Sequence, residues 1–343
     1  MASKITILGA GITGLAIASQ LPKEADITIY GKFLPGDEMD KEYVSQWAGA
    51  IWLGVHATSA REQKYQMDSY STLWQIAGLH PESSARRIEI TEIQDIGVPE
   101  QVWYRDHVVG FRYLSKSELP KGAKFGMKWQ TVVISPPTFI NWFRGHLENQ
   151  GVKFKRLHVK ALRDLEGLGH DVLINASGFG STLLEDVRES AIIPVRQQNI
   201  RLRKEGYNKL FIRRGENNYY STAFGRDDGS IYIGGVKKEN VREWTASAED
   251  RKLIMKQAHD NQPDVFPSAD PNDYDLIGDH VGVWPIIKQD KGGIRLEKEV
   301  IGGQKVVHAY GQEAGGYVCS FGIAREAARL VFEYLSDPAR AKL

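Results

Sequence analysis

Gly9-Ala10-Gly11-Ile12-Thr13-Gly14 follows an apolar β-branched run, ITIL at residues 5–8, and leads into a helical pattern that continues from Leu15 to Leu21. A second β-like run, ITIY, occupies residues 27–30. Strand, GxGxxG turn, helix and returning strand within about 30 residues make a β-α-β unit, the start of a Rossmann-type dinucleotide domain. Each glycine has a reason. Gly9 allows the tight turn, Gly11 lets backbone approach a pyrophosphate, and Gly14 lets helix and strand pack closely. The helix N-terminus then turns N–H groups and the positive end of its dipole toward the phosphates. The same six residues also read as a purely structural turn; their place between strand and helix favours the phosphate site. The next strand ends in Gly31-Lys32-Phe33. The acid that usually receives a ribose hydroxyl is absent there, so a cofactor with an extra phosphate, or a flavin dinucleotide met by a base, fits better than NAD.

The apolar stretch at residues 5–21 has a signal peptide's length. It lacks a basic leader beyond Lys4 and a small-residue cleavage site, and it contains three spaced glycines, so strand, turn and helix describe it better. Elsewhere no apolar window is long enough to predict a membrane span. The 343 residues predict about two domains. The balance of 44 basic and 43 acidic residues, net +1, argues against nucleic acid or a membrane surface as partner. The single Cys319 excludes an intrachain disulfide and a Cys-rich metal site. The nine His residues show no ligand-like spacing, so no metal is expected. The last three residues, Ala341-Lys342-Leu343, resemble the Ser-Lys-Leu peroxisomal address, although a frayed tail would read the same.

Along the chain, residues 59–75 predict a helix and residues 85–135 a set of short strands, QVWYR among them. Pro136-Pro137 stops that region, and residues 138–150 predict a helix with Thr138 as N-cap. VLIN at 172–175 reads as a buried strand, 197–236 as antiparallel strands, and 248–260 as a charged helix. KVVHAY predicts a strand, followed by a Gly-containing loop and a helix from about Gly322 to Leu335. The pattern is α/β with an α+β insert: a Rossmann-type domain with a mixed or antiparallel-sheet substrate domain. The expected division is 1–50, 140–195 and 275–343 for cofactor, and 51–139 and 196–274 for substrate.

Five segments in order then resemble one family. The start at residues 7–21 is followed by Ser45-Gln46-Trp47-Ala48-Gly49-Ala50-Ile51-Trp52, by Asn175-Ala176-Ser177-Gly178-Phe179-Gly180 and by Pro194-Val195-Arg196-Gln197-Gln198. Val306-Val307-His308-Ala309-Tyr310-Gly311, with Gly316, Gly322 and Ala324, completes the set. Together they resemble the D-amino-acid oxidase family of FAD-dependent oxidases, which includes D-aspartate oxidases. Singly, Trp47 and Trp52 also read as core aromatics, Gly311 and Gly316 as turn residues, and His308 as a structural histidine.

The resemblance implies non-covalently bound FAD. It assigns cofactor contacts to Gly9, Ala10, Gly11, Ile12, Thr13, Gly14, Gly31, Lys32, Trp47, Ala48, Gly49, Ala50, Val159, Ser177, Gly178, Gly311, Gly315, Gly316, Tyr317 and Val318. It further implies hydride transfer from a substrate Cα to flavin N5, with no side chain needed as base, then electron transfer to O2 to give H2O2. The imine product hydrolyses to a keto compound and ammonia. No catalytic side chain is named. The family is commonly peroxisomal, which strengthens the reading of the tail and makes an import receptor an expected partner. A small amine or D-amino acid and O2 are the others, and a homodimer is an open possibility.

The substrate side departs from the family. Its carboxylate-binding segment, of the form G-x-R-P-x-R, is matched here by Gly282-Val283-Trp284-Pro285-Ile286-Ile287, with Trp284 and Ile287 in place of both arginines. Neither can clamp a carboxylate in the bidentate manner of arginine. Tyr220, Lys237, Trp284, Lys288 and Tyr317 are the candidate substrate contacts, with Lys237 equally readable as a solvated lysine. Glu313 stands where the family prefers a small residue and would repel a substrate carboxylate. Three readings follow: a D-amino-acid oxidase with a displaced cation, an oxidase of a larger amine without a free α-carboxylate, and a flavin-binding protein without oxidase activity.

Overall fold

The computed structural model describes residues 2–55, 58–312 and 315–336; Glu313 and the Ala341-Lys342-Leu343 tail lie outside them. The chain runs β1 (Lys4–Leu8), α1 (Ile12–Ala18), β2 (Asp26–Gly31), α2 (Ala60–Leu79), β3 (Arg86–Gln94), β4 (Arg112–Tyr113) and β5 (Phe125–Val133). It continues through α3 (Pro136–Glu148), β6 (Lys153–Arg156), β7 (Val172–Asn175), β8 (Ile192–Arg203), β9 (Leu210–Arg214), β10 (Tyr220–Gly225) and β11 (Ser230–Glu239). It ends with α4 (Ala248–Asn261), β12 (Leu276–Ile287), β13 (Arg295–Ile301), β14 (Gln304–Tyr310) and α5 (Gly316–Leu335).

Two sheets result. The first has the order β13-β14-β7-β1-β2-β6 and is parallel except for β13. Ile5 and Ile7 of β1 have no exposed surface, and burying each such side chain is worth about 1.5–3 kcal/mol. Strand order reverses at β1, with β2 on one side and β7 on the other, so a crevice opens beyond its C-terminal end. The second sheet has the order β12-β8-β11-β10-β9-β3-β5-β4 and is antiparallel except where β3 meets β9.

Helix α2 joins the halves. Ser59 and Glu62 form its capping box, and Glu62 also accepts a 2.6 Å bond from Gln289 beyond β12. On the other side, Ser69 of α2 accepts from the backbone N–H groups of Phe321 and Gly322 in α5.

Several local expectations change. Residues 275–343 do not all join the cofactor sheet: β12 is an edge of the eight-stranded sheet, paired with β8 over its whole length. Its register with β8 outweighs its position in the chain. QVWYR forms 3-10 turns rather than a strand, with Pro99 starting the first turn. Pro136 and Pro137 begin α3, because the first helical positions need no N–H partner; Ser135, not Thr138, is the N-cap. Helix α5 starts at Gly316 instead of Gly322, which carries its N-terminus to the crevice.

Candidate functional site

The crevice beyond β1 is a cavity of about 440 Å³ that runs from the glycine turn to the inner face of the eight-stranded sheet. At its start, α1 is capped by Gly11, which has no side chain to bond the helix end, so glycine backbone forms much of that wall. Gly9 has φ +115°, a conformation that favours glycine, and a Cβ there would lie 2.3 Å from the Ala176 carbonyl oxygen. A Cβ on Gly14 would lie 1.9 Å from the Gly9 carbonyl oxygen. Ser45 accepts from the Ile12 N–H at 3.0 Å, and the Tyr43 hydroxyl donates to the Ala10 carbonyl at 2.6 Å. A cradle of glycine backbone at a helix N-terminus, flanked by the small Ser45 side chain, fits a dinucleotide pyrophosphate.

Of the residues assigned to the cofactor, Gly9, Ala10, Gly11, Ile12, Thr13, Gly31, Lys32, Trp47, Ala48, Gly49, Ala50, Val159, Ser177, Gly178, Gly316, Tyr317 and Val318 line the cavity. Three do not. Gly14 is the packing contact beneath the turn, Gly311 faces Ile287, and Gly315 caps α5 beside Cys319. His308 is buried in the sheet, bonded to Asn175 and Glu299, away from the cavity wall.

Lys32 meets an acid that the spacing hid. Glu42 comes in from the loop after β2, pairs with Lys32 at 2.5 Å and lines the cavity. That bond holds the Glu42 carboxyl below its ordinary pKa. Arg242, from the loop after β11, also reaches this end and lies over the Phe179 ring at 4.4 Å. No local pattern marks either residue, since both arrive on irregular loops.

The far wall follows strand alternation. Tyr220, Thr222 and Phe224 of β10 line the cavity, as do Gln197 and Asn199 of β8 and Tyr232 of β11. Period-two reading of these strands would have found them. Arg196, just before the inward Gln197, turns the other way and bonds Asp250 at 3.1 Å.

Among the five substrate candidates, Tyr220, Trp284 and Tyr317 line the cavity. Lys237 and Lys288 do not. Lys237 is exposed beyond the inward part of β11, and Lys288 pairs with Glu239 at 2.8 Å. Ile287 packs against Gly311. The Tyr317 hydroxyl donates to the Ser45 carbonyl at 2.9 Å. Burial raises the pKa of the Tyr220, Tyr232 and Tyr317 phenols, so all three stay protonated near neutrality.

Behind residues 47–50 lie two buried groups. His280 meets the Trp47 carbonyl at 2.9 Å through Nε2, which must carry the proton; burial and then the Arg226 charge depress its pKa to about 4. Arg226 donates to the Gly49 and Ala48 carbonyls and sits over the Tyr232 ring at 4.8 Å.

A strand-order crevice, a side-chain-free phosphate turn and an aromatic far wall define a dinucleotide-dependent redox protein. The profile described as "FAD dependent oxidoreductase" matches residues 4–330, and the chain belongs to that family. It is 26% identical to a D-amino-acid oxidase of Schizosaccharomyces pombe and 28% identical to a D-aspartate oxidase of Talaromyces thermophilus. The first alignment covers 95% of each chain; the second covers 96% of this chain and 95% of the relative. In structure it is similar to glycine oxidase from Geobacillus kaustophilus, with TM-score 0.74 at 16% identity, over 97% of this chain and 95% of that one. It is also similar to an FAD-bound L-alpha-glycerophosphate oxidase from Mycoplasma pneumoniae, with TM-score 0.71 at 14% identity, over 97% and 95%. The protein is thus an FAD-dependent oxidoreductase with the fold of these oxidases.

Proposed function

We propose that the protein oxidises the Cα–N bond of a D-amino-acid derivative whose carboxylate is masked, or of a related bulky amine. Amine, O2 and water would give a carbonyl compound, ammonia and H2O2. Bound FAD supplies the hydride acceptor and returns the electron pair to O2. The chain's own residues bind, orient and exclude water. The glycine turn would hold the pyrophosphate, and residues 47–50 would lie along the flavin ring. Tyr220, Thr222 and Tyr232 offer neutral hydroxyls to a substrate, while Trp47 and Trp284 offer apolar faces.

The observation that carries this reading is Trp284. It lines the cavity where the resemblance puts the carboxylate-binding arginine, and neither Lys237 nor Lys288 lines the wall in its stead. The test is a peroxidase-coupled H2O2 assay, without added nicotinamide, on D-amino acids, their amides and esters, and bulky amines. Amides or esters should outrun D-alanine and D-aspartate. Fast turnover of D-alanine would refute the masked-carboxylate reading, and strict dependence on NADPH would refute an oxidase.

The cofactor is proposed to be non-covalent, since Cys319 is buried with its thiol pushed up to about 12 and is a poor nucleophile. Acid precipitation should then release the colour. Delivery to peroxisomes through the C-terminal tripeptide is proposed on its likeness to the import address. Deleting it should leave activity intact and the protein in the cytosol.

A further inference from the structure

We propose that Arg226 is a fixed positive charge placed behind the flavin-facing segment to raise the electron affinity of the bound cofactor. The proposal rests on the reading above that the flavin ring lies along residues 47–50. Arg226 directly follows β10 and is only 9% exposed. Its guanidinium donates to the Gly49 carbonyl and, at 3.4 Å, to the Ala48 carbonyl, two backbone groups of the cavity wall. It lies 4.8 Å from the centroid of Tyr232, another wall residue. Its Nε is buried with no hydrogen-bond partner.

Among the described residues, no carboxylate pairs with it. Asp227 and Asp228 act on its charge through space only; their bonds go elsewhere, Asp228 to Arg201 and Ser230, and Asp227 to the Ser135 hydroxyl. Of the other titratable groups near it, His280 and Tyr232 are neutral near pH 7, and Arg201 is a second cation, paired with Asp228. Burying a guanidinium without an acid is costly, and a sheet that needed only packing or a backbone donor would be better served by a neutral side chain. What the charge adds is a field in a poorly screened interior. A two-electron reduced flavin readily carries a negative charge, so a cation one layer behind the ring stabilises the reduced form over the oxidised one. Arg226 is a positioning residue in the electrostatic sense, acting through Gly49 and Tyr232.

The test is the midpoint potential of the bound FAD in the holoenzyme, read against a reference dye. Arg226→Met should shift the reduction equilibrium at least tenfold toward oxidised flavin, which is about 30 mV for a two-electron couple. Arg226→Lys, which keeps the charge, should stay within threefold of wild type. Asp228→Asn, which removes a nearby negative charge, should shift the equilibrium the opposite way by twofold or more; it decides the matter if Arg226→Met cannot hold FAD. An unchanged potential in Arg226→Met, an equal fall in Arg226→Lys, or no rise in Asp228→Asn would each overturn the proposal. Failure of the underlying reading looks different: the wild-type protein would then retain no reducible flavin.

Discussion

The two ends of the cavity are built by opposite means. At the cofactor end the wall is backbone, and Gly9 and Gly14 are held there by the absence of a side chain. At the substrate end the wall is side chains, set out at every second position of β8 and β10 on a regular sheet. At Gly9 and Gly14 the backbone wall tolerates almost no change, because a Cβ at either meets a carbonyl oxygen. A side-chain wall can change its chemistry without touching the sheet's hydrogen bonds. The family resemblance is accordingly strong at the first end, while at the second the segment read against the family's arginines carries Trp284 and Ile287.

Substitutions at each end should separate the two. The largest effect is expected from Gly14→Ala, whose new Cβ would lie 1.9 Å from the Gly9 carbonyl oxygen. FAD affinity, measured by fluorescence titration, should fall at least about 100-fold, or about 3 kcal/mol. A yellow, tightly loaded Gly14→Ala protein would mean that the turn can relax and that the contrast is overdrawn.

Trp284→Arg comes next. It should raise kcat/KM for D-alanine about 30-fold or more, since a buried charge-assisted pair is worth roughly 2–5 kcal/mol. FAD affinity should not change. Lack of any gain would show that Trp284 is not the position that decides carboxylate recognition.

His280 gives a pH effect. Its pKa is about 4 when folded and near 6.5 when the chain is unfolded. Between those values the unfolded chain binds a proton that the folded protein refuses. Stability is therefore full above pH 6.5 and falls as pH drops toward 4, by about 3 kcal/mol from this residue. Denaturant midpoints at pH 7.5 and 4.5 should show that loss, and His280→Gln should reduce it.

The smallest effect is expected outside the wall. Lys237→Ala should change kcat/KM less than about twofold on every substrate, as for an exposed side chain away from the site. A selective loss on acidic substrates would bring Lys237 back into the substrate pocket.

Much of the first end was legible in the sequence. Residues 5–30 specify strand, turn and helix because each local preference agrees with the fold, and the glycines mark where backbones nearly touch. Less of the second end was legible. Trp284 could be placed against the family's arginine, but β12 belonged to the wrong sheet until its pairing with β8 was seen. Lys288 looked like a replacement cation, and its partner Glu239 lies 49 residues away in the chain.

By itself, the sequence determined the phosphate turn and the cofactor class, and it set Trp284 where the family resemblance expects an arginine, because those depend on residue type at short range. Tertiary structure alone brought Glu42 to Lys32 and set Arg226 behind Gly49. The first closes a loop of ten residues and the second joins segments 177 residues apart, and their partners are selected by loop closure and sheet register, which no local pattern records.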